Sequence, residues 1–466
     1  MNEILKGDLN DLELILNQVK AEGLEFLNGI NDRRTSTNTE PMQYDDLEVQ
    51  GSGTLAALAA FKSRFDAIIV ASTGPRYWGF VTGGSTPAAI AGDWLATIYD
   101  QNTQTVKGQG DISANIELET VRLLLQLLGL PEEAYLGGFV TGATMSNFSC
   151  LAVARQWLGA QQGEDIAKTG VSGTLKVLSA MPHSSAVKSL ALLGLGSQNL
   201  IKVKVMPGNR EAMDLNDLEK QMLELKGAPF ILISSAGTVN TVDFDDFEAI
   251  SKLRERYQFW WHIDAAFGAF AACAPAYAHL LKGWEQADSI TVDCHKWLNV
   301  PYENAFFLVK KEHRLLQMAS FQNSNAPYLG DPLDNFNYLN FLPENSRRLK
   351  ALPAWFSLKA YGAKGYQDIV EGCIARAEQL ADFIEKEDAF ELLAPVRLNT
   401  VCFTLKGAAD QAFEFLRILN DQGVVFMTPT VYDGKHAIRA AFVNWRTTEN
   451  DVLMAIGALN EALKKI

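Results

Sequence analysis

Four short stretches hold residues whose types and neighbours can do chemistry. In residues 289–297, SITVDCHKW, Lys296 follows a β-rich run and stands between a histidine and a tryptophan. An amine at the end of a buried strand, partly desolvated, is readily made the neutral nucleophile that attacks carbonyls; a lysine that caps a strand reads the same. In residues 262–268, HIDAAFG, Asp264 closes a second run that begins in aromatics. A carboxylate there needs a cationic or hydrogen-bonding partner. A protonated ring nitrogen would serve, and so would a helix cap or an ion pair. Residues 139–147, FVTGATMSN, begin like a strand and continue as a helix, which puts Gly142, Ala143 and Thr144 at the helix N-terminus. Free backbone N–H groups and the helix dipole hold an anion such as phosphate at that place; a plain strand-to-helix turn has the same look. In AMPHSS, residues 180–185, His183 stands just past a strand, where its ring can stack on a planar ligand or simply pack. TGGSTPAA, residues 82–89, is a Gly-rich turn of low specificity.

The elements that must position these residues follow from the apolar pattern. Residues 174–180, 200–206, 230–235, 260–264 and 289–294 read as buried strands, with helical stretches such as 214–225 and 247–257 between them. This alternation over 74–346 predicts βαβ units, a mostly parallel central sheet and helices on both faces. Ligands bind at the carboxyl ends of the strands in such sheets. Before it, residues 1–73 form an N-terminal helical segment, with an amphipathic helix over 8–28 and a polar connector. After it, residues 347–466 form a smaller α+β domain. Helices are expected around 354–361, 374–387 and 408–421, and strands near 401–405 and 438–443. A hairpin turn is expected at Asp433-Gly434, and Thr448 with Asp451 is placed to cap the last helix.

Composition excludes other classes. The chain has 466 residues, 48% hydrophobic and 21% charged, which is globular rather than disordered or fibrous. Lys+Arg of 41 against Asp+Glu of 55 gives a net charge of −14, the wrong sign for a nucleic-acid partner. The cysteines at 150, 273, 294, 373 and 402 form no CxxC pair, which speaks against a disulfide framework or a structural metal site. No signal pattern opens the chain and no apolar run reaches about 18 residues. The expectation is a cytoplasmic protein without a membrane partner or a metal.

Taken together, a phosphate turn, a ring-stacking histidine, a carboxylate and a lysine lie in one order on successive strand ends. That order makes a site for pyridoxal phosphate, with Lys296 as the Schiff-base lysine, Asp264 on the ring nitrogen and His183 over the ring. At this point the sequence resembles the group II pyridoxal-phosphate-dependent amino-acid decarboxylases, a family that includes aromatic amino-acid and glutamate decarboxylases. The resemblance spans roughly residues 50–450. It is carried by GGSTPAAIAGDWLA (83–96), IELETVRLLLQLLGLP (116–131), TGATMSN (141–147), PHSSAVKSL (182–190), SSAGTVNTVDFDD (234–246), HIDAAFG (262–268), ADSITVDCHKW (287–297) and IRAAFVNWRTTENDV (438–452).

The resemblance implies the aminotransferase-like type I fold and a homodimer with active sites at the subunit interface. It implies decarboxylation of an L-amino acid to its amine. It carries the cofactor-binding roles to Gly142, Ala143, Thr144, His183, Thr238, Asp264, Asp293, His295 and Lys296. It also makes Tyr338, in YLNFLPENSRR, the tyrosine of a catalytic loop that returns a proton after CO2 leaves; the same region offers Tyr328. Tyr77, Trp78 and Phe80 lie where the family builds its side-chain pocket and suit an aromatic or apolar substrate, whereas the neighbouring Arg76 would suit an acidic one. The chain departs from the family at Cys294 (commonly proline), Val239 (commonly threonine), Met145 (commonly acidic) and Gly74-Pro75 (commonly His-Pro). These departures leave the substrate unnamed. Transamination, oxidative deamination to an aldehyde and lyase chemistry use the same constellation. A non-enzymatic homologue would lack reason to keep Lys296, Asp264 and His183.

Overall fold

A computed structural model describes residues 2–37, 44–106, 111–322 and 336–466. Seven strands form the central sheet: β1 (Tyr135–Val140), β2 (Val177–Ser179), β3 (Leu200–Lys202), β4 (Phe230–Ser235), β5 (Phe259–Asp264), β6 (Ser289–Asp293) and β7 (Ala305–Lys310). Their order is β1-β7-β6-β5-β4-β2-β3. Strands β2 to β6 pair in parallel, and β7 runs against both β1 and β6. Strands β1, β4, β5 and β6 are buried along their whole length. Helices cover both faces of such a sheet, so its strands read as continuous apolar runs instead of alternating ones. The register pairs Ser235 with Asp264 and Asp264 with Thr291. The carboxyl ends of β4 and β5 are thereby level, β6 runs on to Asp293, and the segments that follow them meet at one edge. The expected mostly parallel sheet is found. The return strand β7 was not expected from sequence, because its short apolar run also suits a buried helix segment.

A second sheet holds β8 (Phe390–Leu392), β9 (Thr400–Leu405), β10 (Thr428–Tyr432) and β11 (Lys435–Ala441), all antiparallel in the order β10-β11-β9-β8. The β10–β11 turn is Asp433-Gly434, with φ of 47° and 74°. Both central residues of a type I′ turn need positive φ, which Asp-Gly tolerates. Thr448 and Asp451 form the expected capping box. The two helices expected over 354–361 and 374–387 are parts of one element, Ala351–Lys386, that breaks at Gly362 with φ 58°. At the N-terminus the helix expected over 8–28 is divided at Asp11 into Glu3–Asn10 and Leu12–Asn28.

Residues 76–78 run beside the second sheet. The Trp78 N–H donates to the Phe426 carbonyl (2.9 Å), the Phe426 N–H to the Arg76 carbonyl (3.0 Å) and the Ala441 N–H to the Trp78 carbonyl (2.9 Å). This strip carries Phe80 and Val81, two consecutive non-glycine residues with positive φ (55° and 64°), towards the edge where β4 to β6 end. Among the described residues, no helix is long and apolar enough to cross a membrane.

Candidate active site

A cavity of about 340 Å³ opens at the carboxyl ends of β4 and β5. Its walls include His183, Thr238, Val239, Asp264, Phe267, Lys296, Arg439 and Phe80. Five of the residues expected from sequence thus meet there: Lys296, Asp264, His183, Thr238 and Phe80.

Lys296 follows β6 after the Asp293–Cys294–His295 turn. Its Nζ lies 2.7 Å from Asp293 Oδ2 and 5.8 Å from the centroid of the Phe267 ring. Asp264 ends β5, and both of its oxygens receive N–H donors: Asn147 Nδ2 at 3.0 Å and the Ala266 N–H at 3.3 Å. Behind Asn147 stands a buried chain with one direction. Trp260 Nε1 donates to Ser289 Oγ (2.9 Å), whose own proton faces His262 Nδ1 (2.9 Å). His262 Nε2 then faces Asn147 Oδ1 at 2.7 Å. Burial pushes the His262 imidazole down to about 4, so the ring is neutral and carries its proton on Nε2. Asn147 is therefore held with its carbonyl towards His262 and its amide N–H groups towards Asp264 and Ser185 Oγ (3.1 Å). Each dipole in this chain aligns the next, and the last one fixes Asp264.

His183 caps the helix Ser184–Leu192, and its Nδ1 accepts the Ser185 N–H at 3.3 Å. Burial lowers its proton affinity, which leaves a neutral ring on the cavity wall.

Gly142 precedes the helix Ala143–Gln161, whose N-terminus has no side-chain cap. A Cβ at Gly142 would sit 3.4 Å from His295 Cε1 and 4.0 Å from Asp293 Oδ1. The absent side chain leaves a recess between the helix end and His295. His295 Nδ1 accepts the Asn304 N–H at 3.2 Å, so the ring's proton sits on Nε2, and burial lowers its proton affinity. Its ring stacks on Tyr302 with centroids 4.2 Å apart. Open backbone donors and a neutral N–H around a recess suit a phosphate group. Asp293 Oδ1 is buried there without a donor.

Several expected residues have other duties. Thr238 lines the cavity, but its hydroxyl donates to Glu211 Oε2 (2.6 Å) and accepts the Asp243 N–H (3.0 Å). Trp78 is a core residue, 1% exposed, with Nε1 bonded to the Pro75 carbonyl (2.8 Å) and its ring 4.3 Å from Phe442. It does not line the cavity, which corrects the pocket expectation. Tyr77 stacks on Phe426 at 4.7 Å and is likewise absent from the lining. Of that trio only Phe80 reaches the cavity. Arg76 forms a buried pair with Asp451 (2.8 Å) and donates to the Val424 carbonyl (2.9 Å), so it supports the fold.

Tyr338 requires the largest correction. It is fully buried, its hydroxyl donates to the Gly137 carbonyl (3.2 Å) and Arg347 lies 4.4 Å over its ring. It is not among the residues that line the cavity, and burial pushes its phenol well above the ordinary range. A phenol so enclosed delivers no proton there. Tyr328, the other tyrosine of that stretch, lies outside the described residues.

Three residues were missed from sequence. Asn147 stood at the end of a quoted motif and received no role. Arg439 is a lone charge in the buried half of β11, and that position was its signal. Its Nη1 donates to the Val239 carbonyl (2.9 Å), while its buried Nε has no partner. Glu211 lies in a loop with no motif, and nothing in the sequence singled it out.

Comparisons with known proteins place the chain in a family and a fold. A family profile described as "Pyridoxal-dependent decarboxylase conserved domain" matches residues 58–406. The aromatic-L-amino-acid decarboxylase of Bacillus atrophaeus is 29% identical over 406 residues, which is 83% of this chain and 81% of that protein. The phenylacetaldehyde synthase of Petunia hybrida is 25% identical over 425 residues, 82% of each. The crystal structure of Oryza sativa TDC with PLP and tryptamine superposes with a TM-score of 0.89, covering 98% of both chains at 21% identity, and so shares the fold.

Proposed function

This chain belongs to the pyridoxal-dependent decarboxylase family, and on that premise we propose that it decarboxylates an L-amino acid with an aromatic or apolar side chain, giving the amine and CO2. The family is one of carboxy-lyases, and its cofactor is pyridoxal phosphate. When bound, the cofactor supplies an aldehyde that captures amines and a ring that withdraws electrons from the substrate's α-carbon.

The chain's own residues then divide the work. The open N–H groups at Gly142, Ala143 and Thr144 and the Nε2–H of His295 hold the phosphate. Asp264, fixed by Asn147, holds the proton on the ring nitrogen. The neutral His183 ring on the cavity wall would hold the face of the cofactor ring, where a cation would oppose the withdrawal of electrons. Lys296 offers the amine that captures the aldehyde, and Asp293 is its counter-ion when that amine is free. Arg439, which lines the cavity and is held by the Val239 carbonyl, receives the substrate carboxylate. Phe80, Val239 and Met181 form an apolar side of the cavity, which suits an apolar side chain and strengthens the charge interactions inside.

The observation that carries this reading is the presence of Lys296, Asp264, His183 and Arg439 on one cavity wall. The test is incubation of the cofactor-loaded protein with the twenty amino acids separately, with CO2 and amine measured. One amine per CO2 from an aromatic substrate supports the proposal, and no CO2 from any amino acid sinks it. Aldehyde with ammonia in place of amine, with dissolved O2 taking up the two electrons as H2O2, is the second reading. It is favoured by the burial of Tyr338, which removes that residue as proton donor.

We also infer a homodimer. The N-terminal helices leave Leu5, Leu9, Leu12 and Leu16 about half exposed (60%, 61%, 49% and 50%), an apolar face that a second copy would cover. A monomer mass in light scattering would exclude it.

A further inference from the structure

Glu211 stands outside the cavity, 4% exposed, in the segment before the helix Leu215–Glu224. Its carboxylate receives four hydrogen bonds, all from one loop: Thr238 Oγ1 (2.6 Å), Thr241 Oγ1 (2.8 Å), the Thr241 N–H (3.1 Å) and Asn240 Nδ2 (3.1 Å). That loop needs holding. Gly237 has φ 92°, and Val242, a β-branched residue, has φ 51°. A branched side chain in that region is strained and persists only where its surroundings determine it.

The loop delivers this constraint to the substrate end of the cavity. Thr238 and Val239 are cavity wall. The Val239 carbonyl accepts Arg439 Nη1 at 2.9 Å, and Asn240 Oδ1 accepts Thr430 Oγ1 at 2.7 Å from β10. One buried carboxylate on the large-sheet side therefore sets where a carbonyl stands, and that carbonyl aims a guanidinium carried by the small sheet. Glu211 also acts on Arg439 through space: burial favours loss of the arginine's charge, and the Glu211 charge opposes that.

Resting on the reading of Arg439 as the carboxylate receptor, we propose that Glu211 is a positioning residue for substrate recognition: through the loop 237–243 it aims Arg439 at the α-carboxylate and so sets affinity for acids over amines.

The test compares L-tryptophan with tryptamine, which keeps the side chain and amine and lacks the carboxylate. Glu211→Gln keeps the volume but places an N–H2 against donors and cannot accept all four bonds. In this variant the KM for L-tryptophan rises about tenfold or more with kcat within about threefold, a split that marks lost ground-state recognition. The tryptamine dissociation constant, read from the cofactor's absorption without turnover, stays within about twofold, and Glu211→Gln adds less than about twofold to KM in an Arg439→Ala background. If Glu211→Gln does not fold, Asn240→Ala removes one donor and the Thr430 link, and raises KM about threefold with the same tryptamine constant. Equal weakening of tryptophan and tryptamine in either variant overturns the inference, and so do fully multiplicative effects in the double variant. An Arg439→Ala protein with an unchanged KM instead removes the reading of Arg439 on which the inference rests.

Discussion

Two buried polar clusters lie against the same sheet and differ in what they leave unused. From the amino ends of β5 and β6, the chain Trp260–Ser289–His262–Asn147 leads to Asp264, at the carboxyl end of β5 and on a cavity wall. Along β1, Arg347 joins Glu117 (2.5 Å), the Phe139 carbonyl (2.8 Å) and the Thr103 carbonyl (3.2 Å), and covers Tyr338. Both are nearly inaccessible to water, and both contain residues that enzymes use. In the first, Asp264, Lys296 and Arg439 still face open space. In the second, the arginine and the tyrosine hydroxyl already have partners inside the fold. Burial of a functional residue type therefore says little about chemistry; what matters is whether bonding capacity remains and faces a space that a ligand can enter.

The largest effect expected of this contrast is at Lys296. Lys296→Ala removes the covalent link that borohydride traps on the cofactor-loaded protein and lowers turnover by at least ~10³-fold. Circular dichroism of the variant checks that the fold remains, since the change takes the cation from the buried Asp293. Mass spectrometry of the reduced protein checks the site, and an adduct on another lysine would break the contrast at its strongest point.

In the closed cluster the expected loss is of stability. Glu117 and Arg347 are 0% and 3% exposed at their side chains. Glu117→Gln leaves Arg347 buried without its counter-charge, a defect that costs about 3–5 kcal/mol. Denaturant unfolding measures this, and the cofactor's dissociation constant stays within about twofold because neither residue lines the cavity. A variant of native stability with weakened cofactor would reverse the assignment of the two clusters.

Acid tests the first cluster from the side away from the cavity. His262 is held at about 4 in the folded protein against an ordinary value of 6.5. The unfolded chain therefore binds the extra proton between those values. The stabilising contribution is complete above pH 6.5 and is lost as pH falls through about 4, to a total near 3 kcal/mol. Denaturation midpoints between pH 7 and 4 follow that slope, and His262→Gln flattens it. An unchanged slope in the variant would show that other groups, such as His183 and His295, which burial shifts the same way, govern acid stability.

The strands β4, β5 and β6 were legible in the sequence because both of their faces are covered, so each reads as an unbroken apolar run with a chemical residue at its end. The Asp-Gly turn and the Thr448–Asp451 cap were legible because local geometry alone dictates them. Arg439 was not, since its role depends on a carbonyl 200 positions away in the chain. Trp78 and Tyr338 misled for a related reason. A motif places a residue along the chain, but whether its side chain turns into a core or a cavity is decided by contacts such as those with Phe442 and Gly137, which are distant in sequence.

The smallest expected effect is the one that divides the two tyrosines. Tyr338→Phe removes one hydrogen bond, to the Gly137 carbonyl, and leaves the ring under Arg347 and edge-on to Phe336 at 4.8 Å. The loss is about 1 kcal/mol of stability. Turnover and the ratio of amine to aldehyde stay within about twofold of the parent, since a hydroxyl enclosed in that cluster takes no part in proton return. Tyr328→Phe is the paired measurement, because the resemblance assigned proton return to Tyr338, which is enclosed, and the same region offers Tyr328. A shift from amine to aldehyde in Tyr328→Phe alone sharpens the contrast between the clusters. The same shift in Tyr338→Phe would mean that the cluster along β1 opens during turnover, and that bonding capacity counted in the closed arrangement is the wrong guide to its chemistry.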